Sequence, residues 1–328
     1  MRKDTVLIFS NSYDITTNKV IENLVHEKTN KEIIRINLED HIQGVHVDLN
    51  EPNIIFYSND KLVDFSRIYS VWYRRGNLLL KISKSIEKNN EDILHYLSNE
   101  WHRIREFIFQ QLSLCKITLG SIFHEIENNK IHNLFLAKEF SLKTPPTVIT
   151  TTKKELVDFY RINGKIITKP ISYTPTFTQD NNSYTNNGTH LVNINDIEEL
   201  DDTFSPTCFQ KYIDKQFEVR VFYLKGKLYS MAIFSQMNEK TKIDFRNYDY
   251  GNPNRTVPYQ LPKSIEEKIK KILLYLKYDT CSIDIIYSTD NEYYFLEINP
   301  SGQFEWLSEN CNYYIEKDIA KYLLNGKI

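Results

Sequence analysis

The stretch that decides the fold is Cys281-Ser-Ile-Asp-Ile-Ile-Tyr-Ser-Thr-Asp-Asn-Glu-Tyr-Tyr-Phe-Leu-Glu-Ile-Asn-Pro300. Two runs rich in β-branched and aromatic residues flank a short polar segment, a pattern typical of a β-hairpin. A two-residue turn at Asp290 and Asn291 would place Asp284 directly opposite Glu297. The sequence therefore predicts two carboxylates that meet on one face of a strand pair.

Side chains alternate along a strand, so Asn299 shares the face of Glu297, and we expect Leu296 and Ile298 to point into the core. Carboxylate and amide oxygens are the ligands that Mg²⁺ prefers when it also binds phosphates. Without a cation, facing carboxylates repel each other. A pair of solvated carboxylates on an exposed sheet face is the ordinary alternative, and the hairpin alone does not choose between the two.

A second predicted hairpin joins residues 217–223 to residues 228–234 through a turn at Lys225-Gly226. Glu218 and Arg220 are two residues apart and therefore lie on one face of the first strand. Arginine suits phosphate oxygens and a carboxylate can accept hydrogen bonds from ribose hydroxyls. A surface ion pair is the competing interpretation.

Two lysines occupy positions where a lysine side chain does not contribute to core packing. Lys130 opens a predicted helix, and Lys169 ends an apolar strand just before Pro170. Their ammonium groups are candidates for neutralising nucleotide phosphates. Exposed, solubilising lysines are the alternative.

Composition excludes several classes of protein. The 328 residues carry 41 basic and 43 acidic side chains, for a net charge of -2, so nucleic acid is not an expected partner. No apolar run is long enough for a membrane span or a signal peptide, so we expect a cytoplasmic protein. Cys115, Cys208, Cys281 and Cys311 are too scattered for a zinc site or a disulfide framework. No P-loop or GxGxxG sequence is present.

The N-terminal region shows the strand, helix, strand order of a small parallel sheet at residues 5–9, 15–28 and 32–36. A long helix or a pair of helices is predicted over 84–113, and polar residues 171–189 predict a mobile loop between two strands. The last third is rich in predicted strands. We place domain boundaries near 115 and 205.

Taken in order, these features resemble the motifs of the ATP-grasp superfamily. The chain is most similar to the peptide maturases that make graspetides, which include the microviridin-type and grasp-with-spasm ligases. Four segments carry this resemblance: Val71-Trp-Tyr-Arg-Arg75, Lys242-Ile-Asp-Phe-Arg246, Val257-Pro258 and Glu297-Ile-Asn-Pro-Ser-Gly-Gln303.

The resemblance implies an α/β (α+β) ATP-grasp fold with a pre-ATP-grasp domain at 1–115, a central subdomain at 116–204 and a β-rich C-terminal subdomain at 205–328. It implies ATP and Mg²⁺ as cofactors, with the metal on Asp284, Glu297 and Asn299. Arg220 and Arg246 would face the phosphates and act in catalysis. The ATP-binding set it implies is Lys130, Lys169, Gln210, Lys211, Tyr212, Ile213, Glu218, Arg220 and Arg246.

The activity implied by the resemblance is phosphorylation of Asp or Glu side chains in a ribosomal precursor peptide, followed by attack of a Ser, Thr or Lys side chain. Leader recognition would involve residues 84–113 and 217–234, and a homodimer is possible. Arg74 and Arg75 would either bind acidic residues of the peptide or cap the first domain as an edge-strand pair. Alternatives are a RimK-like glutamate or amino-acid ligase and a non-catalytic ATP-binding regulator.

Overall fold

The computed structural model describes residues 4–50, 53–59, 61–81, 91–172, 176–179, 182–185 and 188–328. The first part of the helix predicted over 84–113 lies outside these residues. The described chain forms two compact units, one of residues 1–127 with 303–328 and one of residues 128–302. Our division into three domains stays a prediction.

The strands of both units are numbered in chain order. They are β1 (Thr5–Ser10), β2 (Glu32–Asn37), β3 (His41–Asp48), β4 (Asn53–Ser58), β5 (Lys61–Asp64), β6 (Ile68–Tyr73), β7 (Leu79–Leu80), β8 (Ile117–Leu119), β9 (Thr147–Thr152), β10 (Ile166–Lys169), β11 (Thr176–Gln179), β12 (Asn182–Thr185), β13 (His190–Val192), β14 (Thr203–Lys211), β15 (Lys215–Leu224), β16 (Lys227–Phe234), β17 (Arg255–Tyr259), β18 (Thr280–Ser288) and β19 (Tyr293–Asn299).

The helices are numbered in the same way. They are α1 (Ile15–His26), α2 (Glu91–Ser113), α3 (Ile122–Ile126), α4 (Lys130–Glu139), α5 (Lys153–Asn163), α6 (Ile194–Glu198), α7 (Lys263–Tyr275), α8 (Glu305–Cys311) and α9 (Ile315–Asn325). Short 3₁₀ turns lie at Phe65–Arg67 and Ser235–Met237. No helix in the described part of the chain is long and apolar enough to cross a membrane.

The first unit contains a parallel sheet in the order β2-β1-β6-β8 and a second sheet in the order β5-β4-β3-β7. β1 is buried along its whole length, as expected for a central parallel strand. The chain returns to this unit at its far end, where the Tyr69 hydroxyl donates to the Leu324 carbonyl of α9 (2.7 Å). The predicted strand, helix, strand order of the N-terminal region is confirmed.

Asp14 closes the N-terminus of α1 because its carboxylate accepts from the Thr17 amide (3.1 Å). The same carboxylate pairs with the Nε atoms of Arg74 (3.4 Å) and Arg75 (3.2 Å), which follow β6. β6 lies inside the sheet, so describing the two arginines as an edge-strand pair was wrong. Arg74 is buried and joins the end of one central strand to the start of a helix.

The second unit contains a sheet in the order β13-β10-β14-β9, the hairpin β11-β12 and a five-stranded antiparallel sheet in the order β17-β16-β15-β18-β19. Its main core lies where α7 and the buried side of the five-stranded sheet meet, with Val219, Ile272, Ile283 and Phe295 among the buried residues. The predicted loop at 171–189 contains the strands β11 and β12. Thr, Phe and Tyr favour strands even where no apolar alternation marks them.

The hairpin of β18 and β19 pairs Asp284 with Glu297, as predicted, but its turn and its strand pairing differ from the prediction. The turn has three residues, 289–291, with Asn291 in the left-handed region (φ 63°), where the prediction had two. A bulge then inserts Leu296, and this extra residue restores the predicted register. Phe295 and Ile298 are therefore the core residues, and the prediction that Leu296 points into the core was wrong.

Gly302 follows this hairpin and has no room for a side chain. A Cβ there would lie 2.3 Å from both Cβ and Oγ of the fully buried Ser282. We expect Gly302→Ala to lower the free energy of unfolding by about 1–3 kcal/mol through overpacking, measured by urea denaturation.

Two controls separate overpacking from a general effect of alanine. Gly44→Ala should be close to neutral, because its Cβ would make only an ordinary 3.8 Å contact with Tyr57. Adding Ser282→Gly to Gly302→Ala should recover part of the lost stability. A double variant no more stable than Gly302→Ala would contradict the clash.

Candidate functional site

A cavity lies in the second unit, over the strands that carry the predicted residues. The predicted residues that line it are Lys169, Gln210, Lys211, Tyr212, Ile213, Glu218, Arg246, Asp284 and Glu297. The remaining three, Lys130, Arg220 and Asn299, contact its acidic wall residues.

The wall of the cavity is a row of charged side chains across three neighbouring strands. Arg220 of β15 is the register partner of Asp284 of β18, which in turn is the partner of Glu297 of β19. Arg220 Nη1 donates to both carboxylate oxygens of Asp284 at 2.8 Å. All three residues lie side by side because antiparallel pairing brings facing side chains together.

Cations surround the outer carboxylate of this row. Lys130 Nζ lies 3.0 Å from Glu297 Oε2, the Asn299 amide donates to Oε1 (3.1 Å), and Arg246 Nη1 is 3.9 Å from Oε1. Burial opposes ionisation of Glu297, but Lys130, Asn299 and Arg246 outweigh it and lower its pKa to about 2. Glu297 is therefore ionised throughout the physiological range.

Asp284 shows the opposite trend. Burial raises its pKa, the Arg220 guanidinium lowers it, and the neighbouring Glu297 raises it further. A divalent cation between the two carboxylates would relieve this repulsion. The described residues contain no cluster of three or more His, Cys, Asp or Glu side chains able to hold a metal. Two carboxylates and an amide fit Mg²⁺ only if phosphate oxygens complete its shell.

Lys169 lines the cavity at the end of β10, where Cys208 is its strand partner. Burial lowers the pKa of its ammonium group, Glu297 raises it, and Lys130 and Arg246 lower it. A buried ammonium among other cations is costly unless an anion joins it. Four cations, Lys130, Lys169, Arg220 and Arg246, thus lie around the two paired carboxylates.

Glu218 of β15 is buried and already bonded within the protein. Lys215 Nζ donates to Glu218 Oε1 (2.5 Å) and to the Ile243 carbonyl (3.0 Å), and the Ser235 hydroxyl donates to Oε2. Burial raises the pKa of Glu218, and Lys215 lowers it. No role was predicted for Lys215. In a regular strand two residues three apart lie on opposite faces, and the register shift between Lys215 and Phe217 brings Lys215 to Glu218.

The segment from Gln210 to Ile213 forms another edge of the cavity. The Gln210 side chain is buried and donates to the Thr147 hydroxyl (2.8 Å). The amides of Lys211 and Tyr212 donate to the carbonyls of Pro146 (2.8 Å) and Lys165 (2.9 Å). These bonds hold the segment in place by its main chain.

Arg246 is held by Asp244, a residue that the sequence analysis quoted in a motif but gave no role. The Asp244 carboxylate accepts from Arg246 Nε (2.8 Å) and Nη2 (2.5 Å), and from the Thr189 hydroxyl (3.0 Å). The hydrogen bonds that Arg246 donates to Asp244 raise the pKa of its guanidinium. The guanidinium is therefore permanently charged and oriented at the cavity.

Comparisons with known proteins agree with this architecture. Residues 5–117 match the family described as the MvdD pre-ATP grasp domain. An ATP-grasp ligase of Chryseobacterium gregarium, associated with a ribosomally made peptide and solved with ADP and a leader and core peptide, is 26% identical over 99% of this chain and 98% of its own, with a TM-score of 0.83.

The chain has an ATP-grasp fold with a pre-ATP-grasp domain at its N-terminus.

The chain is also similar to two solved macrocyclases. The macrocyclase MdnC of Microcystis aeruginosa, solved with its precursor peptide MdnA, is 26% identical over 98% of this chain and 99% of its own, with a TM-score of 0.80. MdnB of the same organism shares the fold at 21% identity, with a TM-score of 0.75 and coverage of 98% and 100%. No curated protein sequence matches the chain. The resemblance to graspetide maturases predicted from the sequence is confirmed.

The low pKa of Glu297 predicts a pH-dependent contribution to stability. Its pKa falls from 4.5 to about 2 on folding, so its favourable contribution is complete above pH 4.5 and is lost as the pH falls towards 2. We expect the difference in free energy of unfolding between the wild type and Glu297→Gln to shrink over this window, measured by denaturation at several pH values.

Glu239→Gln provides the control, since the Glu239 side chain is 87% exposed. Its difference from the wild type should vary little with pH. A Glu297→Gln difference that is constant between pH 5 and about pH 2 would show that the cations around Glu297 do not act as described.

Proposed function

We propose that this protein is an ATP-dependent ligase that phosphorylates Asp or Glu side chains of a ribosomal precursor peptide and joins them to Ser, Thr or Lys side chains of the same peptide. The products are macrolactone or macrolactam cross-links. The observation that carries the proposal is the pair of Asp284 and Glu297, flanked by Arg220, beside the oriented Arg246 of the same cavity. Similarity to two ligases solved with peptides supports the choice of substrate.

The nucleotide would bind with its adenine against the edge formed by Lys211, Tyr212 and Ile213. The amides of Lys211 and Tyr212 already donate to protein carbonyls, so the Ile213 amide is the donor proposed to read the base. Glu218 would accept from the ribose, while Lys215 and Ser235 hold its carboxylate in place. Gln210 supports this edge from below through its bond to Thr147.

The phosphates would lie among Lys130, Lys169 and Arg246. The buried ammonium group of Lys169 would form ion pairs with the phosphate oxygens. Mg²⁺ would bind to Asp284, Glu297 and Asn299. Bound there, it would neutralise negative charge on the phosphoryl group that is transferred. Arg220 holds the Asp284 carboxylate in place by donating to both of its oxygens.

In the first step a carboxylate oxygen of the peptide attacks the γ-phosphorus of ATP as the bond to the β-phosphate oxygen breaks, giving an acyl phosphate and ADP. In the second, a hydroxyl or amine attacks the acyl carbon, phosphate leaves and the nucleophile loses its proton. Arg246 is the residue proposed to stabilise the developing oxyanion. Each cross-link removes the elements of one water from the peptide.

Two other functions compete with this proposal. A RimK-like amino-acid or glutamate ligase would use the same nucleotide site with a different acceptor. A regulator that binds ATP without turnover would not need the buried, paired arrangement of Asp284 with Glu297, which costs stability. Homodimer formation and leader recognition by 84–113 and 217–234 stay predictions.

The proposal predicts ATP-dependent loss of about 18 Da per cross-link from a precursor peptide, since each activated carboxylate condenses with one nucleophile. The candidate substrate is a peptide encoded beside the gene, rich in Ser or Thr and in Asp or Glu near its C-terminus. Mass spectrometry after incubation with ATP and Mg²⁺ measures the loss. Glu297→Gln should abolish it, because the row then lacks one anionic ligand.

Glu292→Gln is the matched control, since Glu292 lies in the same hairpin and pairs with Lys143 at the surface (2.6 Å). It should react like the wild type. An unmodified peptide, together with ATP-dependent transfer to a free amino acid, would favour the RimK-like alternative.

Replacement of Arg246 separates catalysis from nucleotide binding. We expect Arg246→Lys to lower kcat about 10²–10³-fold, because lysine cannot keep the two-point contact with Asp244 or aim its donors in the same way. The ADP dissociation constant, measured by calorimetry, should change much less.

Arg255→Lys, on β17, is the control and should leave kcat unchanged. Equal losses of ADP affinity and kcat in Arg246→Lys would show that Arg246 serves binding alone.

A further inference from the structure

An open surface adjoins the nucleotide cavity and shares one residue with it. This surface encloses about 1390 Å³, and Arg246 lines both spaces. Lys240, Tyr248 and Tyr250 line the open side. We call Lys240, Arg246, Tyr248 and Tyr250 together the tyrosine surface. A substrate that lies on it reaches the inner cavity at the guanidinium of Arg246.

The side chains of Tyr248 and Tyr250 are exposed to solvent. Tyr248 is 53% exposed and Tyr250 is 90% exposed, and their rings meet nearly edge to face with centroids 5.0 Å apart. Two rings at an angle of 69° form a concave aromatic corner. Exposed aromatic rings side by side are a feature of binding surfaces, because they give contact area with few rotatable bonds.

The loop that carries the tyrosines is fixed by polar bonds at its base. Asp249, between the two rings, accepts from the Asn238 side chain (3.0 Å) and the Gly251 amide (3.2 Å). The buried Thr241 hydroxyl donates to the Ser235 carbonyl (2.9 Å) and contacts Asn254 Oδ1 (2.8 Å). These bonds hold the exposed rings in position, so a ligand that packs against them need not order the loop first.

Two cations complete the surface. The side chains of Lys240 and Arg246 are 69% and 54% exposed. Lys240 pairs with Asp249 at 3.6 Å, an exposed contact that contributes little and can be exchanged for a ligand carboxylate. The chemistry fits an extended acidic peptide, whose backbone and aliphatic side-chain atoms pack on the rings while its carboxylates meet the cations.

We propose that the tyrosine surface binds the acidic segment of the peptide whose carboxylate is activated, and leads that carboxylate to Arg246. This inference rests on the proposed function and adds the residues that choose the substrate. Arg246 lines both spaces, so a peptide on the open side brings its carboxylate to this residue while the cavity holds the nucleotide. Lys240 then selects for a second acidic residue near the reacting one.

The test uses the full chain with ADP and Mg²⁺ and a short fluorescein-labelled peptide of alternating Thr and Glu. A matched peptide with Gln in place of Glu measures the charge requirement. Fluorescence anisotropy should show tighter binding of the acidic peptide. The double variant Tyr248→Ala with Tyr250→Ala should weaken it about tenfold or more, in line with the loss of two aromatic contacts. Lys240→Glu should remove most of the preference for the acidic peptide.

Tyr275→Ala is the control, because Tyr275 is 61% exposed on α7 and lines neither space. It should bind the peptide like the wild type. ADP affinity, measured in every variant, reports whether the fold and the nucleotide site are intact. Unchanged peptide binding in the double tyrosine variant, or no binding by the wild type, would overturn the inference. A wild type that does not bind ADP would contradict the proposed function itself.

Discussion

Two acidic side chains held next to each other inside a sheet are the constraint on which the second unit depends. Asp284 and Glu297 are strand partners, and an unscreened pair of buried carboxylates would be strongly unfavourable. The chain compensates with a cation on each flank, Arg220 against Asp284 and Lys130 against Glu297. Because these cations come from β15 and from α4, the charge pattern also ties the sheet to a helix of the same unit.

Arg220 and Lys130 are not the only positive charges beside the two carboxylates. The flanking cations satisfy the outer sides of the carboxylates, whereas Lys169 and Arg246 bring further positive charge to the cavity. An anionic ligand with its own cation would bring these charges into balance. In the proposed function a metal-bound polyphosphate would be this ligand, and the charges that receive it are in place before it binds, as electrostatic preorganisation requires.

Local sequence predicted the hairpins and the faces of their strands, because alternation and turn residues act over a few positions. The facing of Asp284 and Glu297 was predicted correctly although both the turn length and the bulge at Leu296 were missed, and the two errors cancelled. The pairing of Arg220 with Asp284 had no local signal, since it depends on how two separate hairpins align. The roles given to the site residues remain proposals.

The first unit is assembled from two distant parts of the chain, residues 1–127 and 303–328. On the ribosome its N-terminal sheet is made before the second unit, whereas α9 is made after it. α9 bonds to the sheet through Tyr69 and through the Tyr322 hydroxyl, which donates to the Thr118 carbonyl (3.1 Å). The second unit, residues 128–302, is contiguous and can complete its fold during translation. The parallel sheet must therefore wait for its covering helix with apolar surface exposed, a period in which chaperone binding would matter most.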